Sequence, residues 1–224
     1  ALINENLFVI GNKPKKYRAI LNARAYPGKR HWLAGKIDNL CLSTYENTLV
    51  DPKGYLDEVI KQLPNAHYHF NKGPIERASE NGILQRYQES QVGLCLSDEE
   101  GASLSSVEYM LCGLPVVTTA NMGGRNEFMD PEFTLIVPAT QQAVADGVEE
   151  LAKRNIPPSL IRGRTLQRMS RHRARFIEHI QKILNYHQVA VDYGRIFYNN
   201  VPQMGVWRPL NQIETYKDEW KCYS

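Results

Sequence analysis

Cysteine is scarce in this chain of 224 residues: Cys41, Cys95, Cys112 and Cys222, widely scattered. Four are too few for a disulfide scaffold. With no Cys-x-x-Cys or paired Cys/His spacing, they form no structural zinc site either. Cys41 and Cys95 sit in apolar runs and read as buried thiols, which points to a reducing compartment, so a cytoplasmic protein is expected. No apolar stretch approaches the ~20 residues that cross a bilayer. The opening segment ALINENLFVIGNKPKKY lacks the charged-then-apolar layout of a signal peptide. A net charge of +3 is too small to imply nucleic acid. Also missing are Gly-x-Gly-x-x-Gly, a P-loop, His-Glu-x-x-His and Gly-x-Ser-x-Gly. The simplest dinucleotide, ATPase, zinc-protease and α/β-hydrolase readings lose most of their weight with them. The chain starts at Ala1, and a fragment of a longer protein is the expectation.

Short apolar, β-branched runs alternate with helical patterns. Strands are expected at Arg18–Arg24, Asn39–Tyr45, Ala66–Phe70, Val92–Leu96, Pro115–Ala120 and Phe133–Val137. Between them the spacing predicts a helix from the Pro27-Gly28 break to about Ile37, then helices over Tyr55–Leu63, Glu80–Ser90 and Ser103–Cys112. Gly113 and Pro115 stop the last of these. Gln141–Arg154 and Ser159–His187 follow as helices, the second with a break near Gly163. This alternation implies an α/β, Rossmann-like, doubly wound parallel sheet of six strands ordered 3-2-1-4-5-6. Ligands bind such sheets where the winding reverses, outside the carboxyl ends of strands one and four. That places the site at Arg24–Lys29 and Ser97–Ser103 before any motif is invoked. Three segments result: a linker, or the remnant of a further N-terminal domain, over 1–17, the sheet domain over 18–187, and an aromatic tail over 188–224 that needs a surface to cover.

Three clusters could carry chemistry. Arg24-Ala-Tyr-Pro-Gly-Lys29 puts two cations at the mouth of the sheet. Arg offers a planar fork and Lys a mobile point charge, together suited to a diphosphate; solvated turn cations are the plainer alternative. In Ser97–Val117, Glu100 precedes a helix that carries Glu108 about two turns on. Gly101, Ala102, Ser103 and Leu104 present backbone N–H groups to an anion there. An acidic first turn serving its own helix dipole accounts for Asp98 or Glu99, but not for Glu108. In the third cluster, Asn121–Glu127, Gly123-Gly124 allows close backbone approach or simply makes a turn.

These clusters, in this order, resemble the C-terminal, donor-binding half of a GT-B retaining glycosyltransferase of the group 1 superfamily. Arg24 with Lys29 is similar to the family's pair on the donor diphosphate. Glu100 to Glu108 matches its E-x7-E motif, and Met110-Leu-Cys-Gly-Leu-Pro-Val-Val117 its helix stop and strand. Gly123-Gly124 with Glu127 is similar to its Gly-Gly-x-x-Glu turn. Ala23, Arg30 and Ser103 stand where the family often has glycine.

The resemblance implies a metal-independent hexosyltransferase with no cofactor beyond its nucleotide-sugar substrate. Arg24 and Lys29 would hold the diphosphate, Glu100 the sugar, and 101–104 with Glu108 the phosphate and ribose. Gly73 and Ile75 would flank the base. It also implies an N-terminal acceptor domain that so few leading residues cannot hold, so the chain alone should transfer little. A non-catalytic nucleotide-sugar-binding module is the rival. Lipid-linked or glycan acceptors would put the protein at the cytoplasmic face of a membrane. Six arginines between Arg162 and Arg175 would meet anionic headgroups there, or simply form a solvated helix face.

Overall fold

A computed structural model describes residues 3–45, 52–70, 80–101 and 103–200. Gly73, Ile75, Ala102 and the tail from 201 onward lie outside the described residues. The strands are β1 (Tyr17–Arg24), β2 (Leu40–Tyr45), β3 (His67–Phe70), β4 (Ser90–Cys95), β5 (Val116–Thr119) and β6 (Thr134–Val137). They form one parallel sheet in the order β3-β2-β1-β4-β5-β6, the doubly wound order expected from the sequence. Helices α1 (Tyr55–Gln62), α2 (Glu80–Gln88), α3 (Leu104–Leu111), α4 (Gln141–Lys153), α5 (Pro158–Tyr186) and α6 (Tyr193–Asn200) complete the described elements.

The strands are buried on both faces, as their continuous apolar runs require. On one face Ala19, Leu21, Leu40, Leu42, Leu94 and Val117 pack with Val59 of α1 and Val144 and Val148 of α4. Tyr87 of α2 and Tyr109 of α3, both fully buried, meet edge to face with ring centroids 4.9 Å apart. Helix α3 ends as its sequence dictates. Gly113 takes φ +79°, its N–H donates to Met110 O, and Pro115 follows.

Two expectations are corrected. The helix after Pro27 is instead a pair of 3-10 turns, Pro27–Lys29 and His31–Ala34, joined at Arg30. Arg30 has φ 49°, a left-handed backbone that no continuous helix tolerates. Gly163 does not break α5. Its Cβ position is open space, and buried Ile161, Thr165, Met169 and Arg173, four apart, hold the helix through it. Residues 5–16, read as a linker, lie against α2 and α5. Phe8 packs 5.9 Å from the Tyr87 ring, Gln88 Nε2 donates to Val9 O, and Arg173 forks onto the Glu5 carboxylate at 2.7 Å.

The residues pack as two compact units. Among the described residues, one takes in Glu5–Ala174; the other takes in residues 3–4 and those from 175 onward. In the second, Phe176, Tyr193, Phe197 and Tyr198 form a ring cluster with centroids 5.5–6.2 Å apart. Asp192 Oδ1 accepts from Arg195 N at the start of α6. No described helix is long and apolar enough to cross a membrane.

His31 is fully buried in the second 3-10 turn, its ring 6.4 Å from that of Tyr55. Burial lowers its pKa to about 4, against a smaller upward pull from the Ala23 backbone. The unfolded chain protonates near pH 6.5 and the folded chain only near 4. The neutral ring's contribution is therefore full above pH 6.5 and is lost as pH falls toward 4. By pH 5 this costs about 2 kcal/mol. Denaturant melts at pH 7.5 and 5 should show that loss, and His31→Leu should flatten it. An equal loss in the variant would assign the effect to other groups.

Candidate functional site

The site begins where two strands part. β1 pairs with β2 as far as Arg24↔Tyr45, but with β4 only as far as Leu21↔Leu94. From Asn22 onward a crevice opens between β1 and β4. The Asn22 backbone groups lose their ladder partners, and α3 replaces them. Asn22 N donates to Tyr109 Oη at 2.7 Å, and Ser105 Oγ donates to Asn22 O at 3.0 Å. The Asn22 amide in turn donates to Tyr87 Oη, and Tyr87 Oη donates to Glu108 Oε2 at 2.6 Å. Burial, with Glu108 close by, holds the Tyr87 phenol protonated well above its usual range. It is therefore a permanent donor to half-buried Glu108.

Across the mouth of the crevice, from the loop after β1 to the loop after β4, Lys29 Nζ lies 2.5 Å from Glu100 Oε2, which also accepts from Ser97 Oγ at 2.8 Å. Arg24, the last residue of β1, stands 5.2 Å over the Tyr26 ring. Both ion-pair partners keep about a fifth of their surface, with side chains 24% and 21% exposed. The pair is reachable from the crevice rather than sealed in the core.

The loop carrying Glu100 is held by the loop after β5. Glu100 N donates to Met122 O and Met122 N to Asp98 O, a short parallel bridge beyond the strand ends. Gly123 makes this possible. It has φ +128°, and a Cβ there would sit 1.9 Å from Glu100 O. Beneath the loops Arg125, 1% exposed, donates to Ser97 O at 3.1 Å and Thr119 O at 2.7 Å.

Of the residues expected from sequence, the structure brings Arg24, Lys29, Glu100, Gly101 and Glu108 to the carboxyl edge of β1 and β4. Leu104 opens α3 and is 55% exposed. Ser103 instead turns its hydroxyl inward, 3.9 Å from buried Cys95 Sγ, so only its backbone faces the helix start. Glu99 points to solvent and Glu127 stands 3.9 Å from His172. Among the described residues no group of His, Cys, Asp or Glu could hold a metal ion.

The basic run on α5 is engaged inside its own unit. Arg162 donates to the carbonyls of Glu5, Phe8 and Leu111; Arg164 and Arg168 close on buried Asp130. With Arg173 on Glu5, only Arg171 and Arg175 of the six are exposed. This corrects the solvated-face reading for Arg162, Arg168 and Arg173. Sequence reasoning missed Tyr87, Arg30 and Arg125. Arg30 carried a signal, since it stands at a position where glycine is usual.

The profile of the family described as Glycosyl transferases group 1 matches residues 55–180. The chain belongs to that family. Among curated proteins none matches it. The solved C-terminal domain of LpcC, a glycosyl transferase group 1 family protein from Francisella tularensis, superposes with a TM-score of 0.55 at 17% identity. The match covers 74% of this chain and 97% of that one. Sucrose-phosphate synthase from Thermosynechococcus elongatus gives 0.57 at 20%, over 83% of this chain and 50% of the synthase. The pneumococcal O-GlcNAc transferase GtfA, solved with UDP and GlcNAc, gives 0.53 at 16%, over 80% and 37%. At these identities the likeness shows the fold. This group 1 chain spans about half the length of the synthase and less of GtfA.

Three substitutions probe how the site is held. Gly123→Ala must displace the Glu100 carbonyl, whereas Gly124→Ala meets nothing closer than 3.8 Å. The first should lower the melting temperature sharply and the second by no more than about 1 kcal/mol equivalent. Tyr87→Phe removes a donor to Glu108 and the acceptor of the Asn22 amide and should cost about 1–3 kcal/mol in a denaturant melt. Parity of the two glycine variants, or a neutral Tyr87→Phe, would show that these contacts do not hold the site.

Proposed function

We propose that this chain is the donor-binding half of a retaining glycosyltransferase. It binds a nucleoside diphosphate sugar across the carboxyl ends of β1 and β4. The observation that carries this reading is the crevice at the winding reversal, with the Lys29–Glu100 pair spanning its mouth and Glu108 of α3 turned toward it. Membership of the group 1 family supports it. Arg24 and Lys29 take the diphosphate, joined by backbone N–H groups at the start of α3. Glu100 orients the sugar through its hydroxyls. Glu108, held by Tyr87, accepts from the ribose. Gly73 and Ile75 flank the base, a role carried by the family resemblance alone.

The Lys29–Glu100 pair has a consequence for binding. Each partner must exchange the other for the donor, Lys29 for a phosphate oxygen and Glu100 for a sugar hydroxyl. As the glycosyl bond breaks, positive charge grows at the sugar carbon and negative charge on the departing diphosphate. Fixed cations aimed at that diphosphate stabilise the transition state more than the ground state. Loss of one such preorganised donor typically costs ~3 kcal/mol, or roughly 10²–10³ in rate. Arg24 and Lys29 supply that charge, which makes a metal unnecessary in this reading. The acceptor is bound by a second domain of the whole protein.

Calorimetry with UDP, GDP, ADP and their sugars tests this. One nucleoside diphosphate should bind, with ribose preferred over deoxyribose. Glu108→Gln should weaken binding roughly tenfold to a hundredfold and erase the ribose preference. Glu99→Gln should leave both unchanged, because its carboxylate points to solvent. Absence of binding at millimolar nucleotide would refute the reading. Equal losses in the two variants would refute the role of Glu108. Donor binding without transfer in the whole protein would favour a non-catalytic module.

A further inference from the structure

Arg30 occupies a backbone conformation that favours glycine, φ 49° and ψ 46°, at the joint between the turn of Lys29 and the turn of His31. Its N–H closes the first turn on Pro27 O and its carbonyl opens the second by accepting from Leu33 N. The side chain then crosses to the far wall of the crevice. Nε donates to Leu96 O at 2.6 Å, and Nη2 donates to Thr119 Oγ1 at 2.7 Å and lies 3.5 Å from Ala120 O. One planar fork thus ties the loop after β1 to the ends of both β4 and β5.

The β4 and β5 ends do not need Arg30 to stay together. They are paired through Cys95↔Thr118, and Arg125 bridges Ser97 O to Thr119 O. What Arg30 adds is the attachment of the Lys29 loop. Also reaching across this gap are the Lys29–Glu100 pair and a long Asp98 N to Gly28 O contact at 3.4 Å. The ion pair is the tie that a donor would disrupt. The Arg30 bonds involve neither Lys29 nor Glu100, so they persist when those groups change partners.

We propose that Arg30 is a positioning residue for the donor diphosphate. It pins the Lys29 turn to the ends of β4 and β5, so that Lys29 stays over the crevice after leaving Glu100. The proposal rests on the donor-binding reading above. The fork geometry is the requirement, and a flexible point charge on the same strained backbone does not meet it.

The test is calorimetry with UDP, GDP and ADP, and with the matching nucleosides, on wild type, Arg30→Gly and Arg30→Lys, each also with Lys29→Met. Glycine accepts φ 49° freely, so Arg30→Gly should melt close to wild type. It should bind the diphosphate about tenfold more weakly while binding the nucleoside as before. Arg30→Lys should not rescue. With Lys29→Met already present, Arg30→Gly should have no further effect, because Arg30 acts through Lys29. The proposal is overturned by unchanged diphosphate binding in Arg30→Gly, by rescue in Arg30→Lys, or by a persisting effect without Lys29. A parallel loss of nucleoside binding or a collapse of melting also overturns it. If wild type itself binds no nucleoside diphosphate, the donor-binding reading falls and this proposal with it. If wild type binds and Arg30→Gly matches it, only the role of Arg30 falls.

Discussion

The orphaned backbone of Asn22 is the constraint on which the rest of the site depends. A parallel sheet that reverses its winding must let two strands part, and buried N–H and C=O groups at the parting need partners. Here α3 supplies both, through Tyr109 and Ser105. That requirement fixes the helix above the crevice and its rotation about its own axis. Glu108 follows from it. Sitting one residue before Tyr109 and three after Ser105, it turns toward the crevice and meets Tyr87, whose phenol also holds the Asn22 side chain. A single buried network therefore closes the strand ends and orients a carboxylate. Its cost if half satisfied would be large, which is why every member is paired.

The far wall is built differently. Its acid, Glu100, sits on a loop, and loops move unless tied. The ties are backbone to backbone through Met122, and backbone to guanidinium through Arg125. Arg125 is among the largest fully buried side chains, and burial lowers its pKa although the group stays charged. A buried cation is tolerated only where carbonyl oxygens converge, and the carboxyl ends of parallel strands supply such oxygens. The same polarity explains why this edge of the sheet gathers Arg24, Lys29, Arg30 and Arg125.

Strand order and the place of the crevice were legible in the sequence because continuous apolar runs and helix stops are local signals. β1 begins one residue before the expected Arg18, and α3 stops at Gly113 as written. The errors came from signals that are not local. Two 3-10 turns replace one helix because Arg30 is held left-handed by contacts 66 and 89 residues away. Gly163 was given too much weight. A glycine costs a helix about 1 kcal/mol, less than the four buried side chains around it contribute. The α5 arginines look alike in sequence, and only packing separates those that hold Asp130 and Glu5 from the two that face solvent. Helix α6 was missed because its Asp192 cap went unread.

Arg30 and Gly123, in the loops beside the crevice, both have positive φ, and the difference between them shows how a site can depart from a family pattern. At Gly123 a Cβ would lie 1.9 Å from Glu100 O, so no side chain can enter and glycine is compulsory. At Arg30 the backbone angle is disfavoured, but the side chain has somewhere to go. Strain of this kind costs about 1 kcal/mol and can be offset by one or two charge-assisted hydrogen bonds to strand-end carbonyls. Glycine and arginine are thus both physically admissible at the second position but not at the first. The substitution trades freedom in the Lys29 loop for a fixed attachment, and it does so next to the cation whose position the proposed chemistry requires.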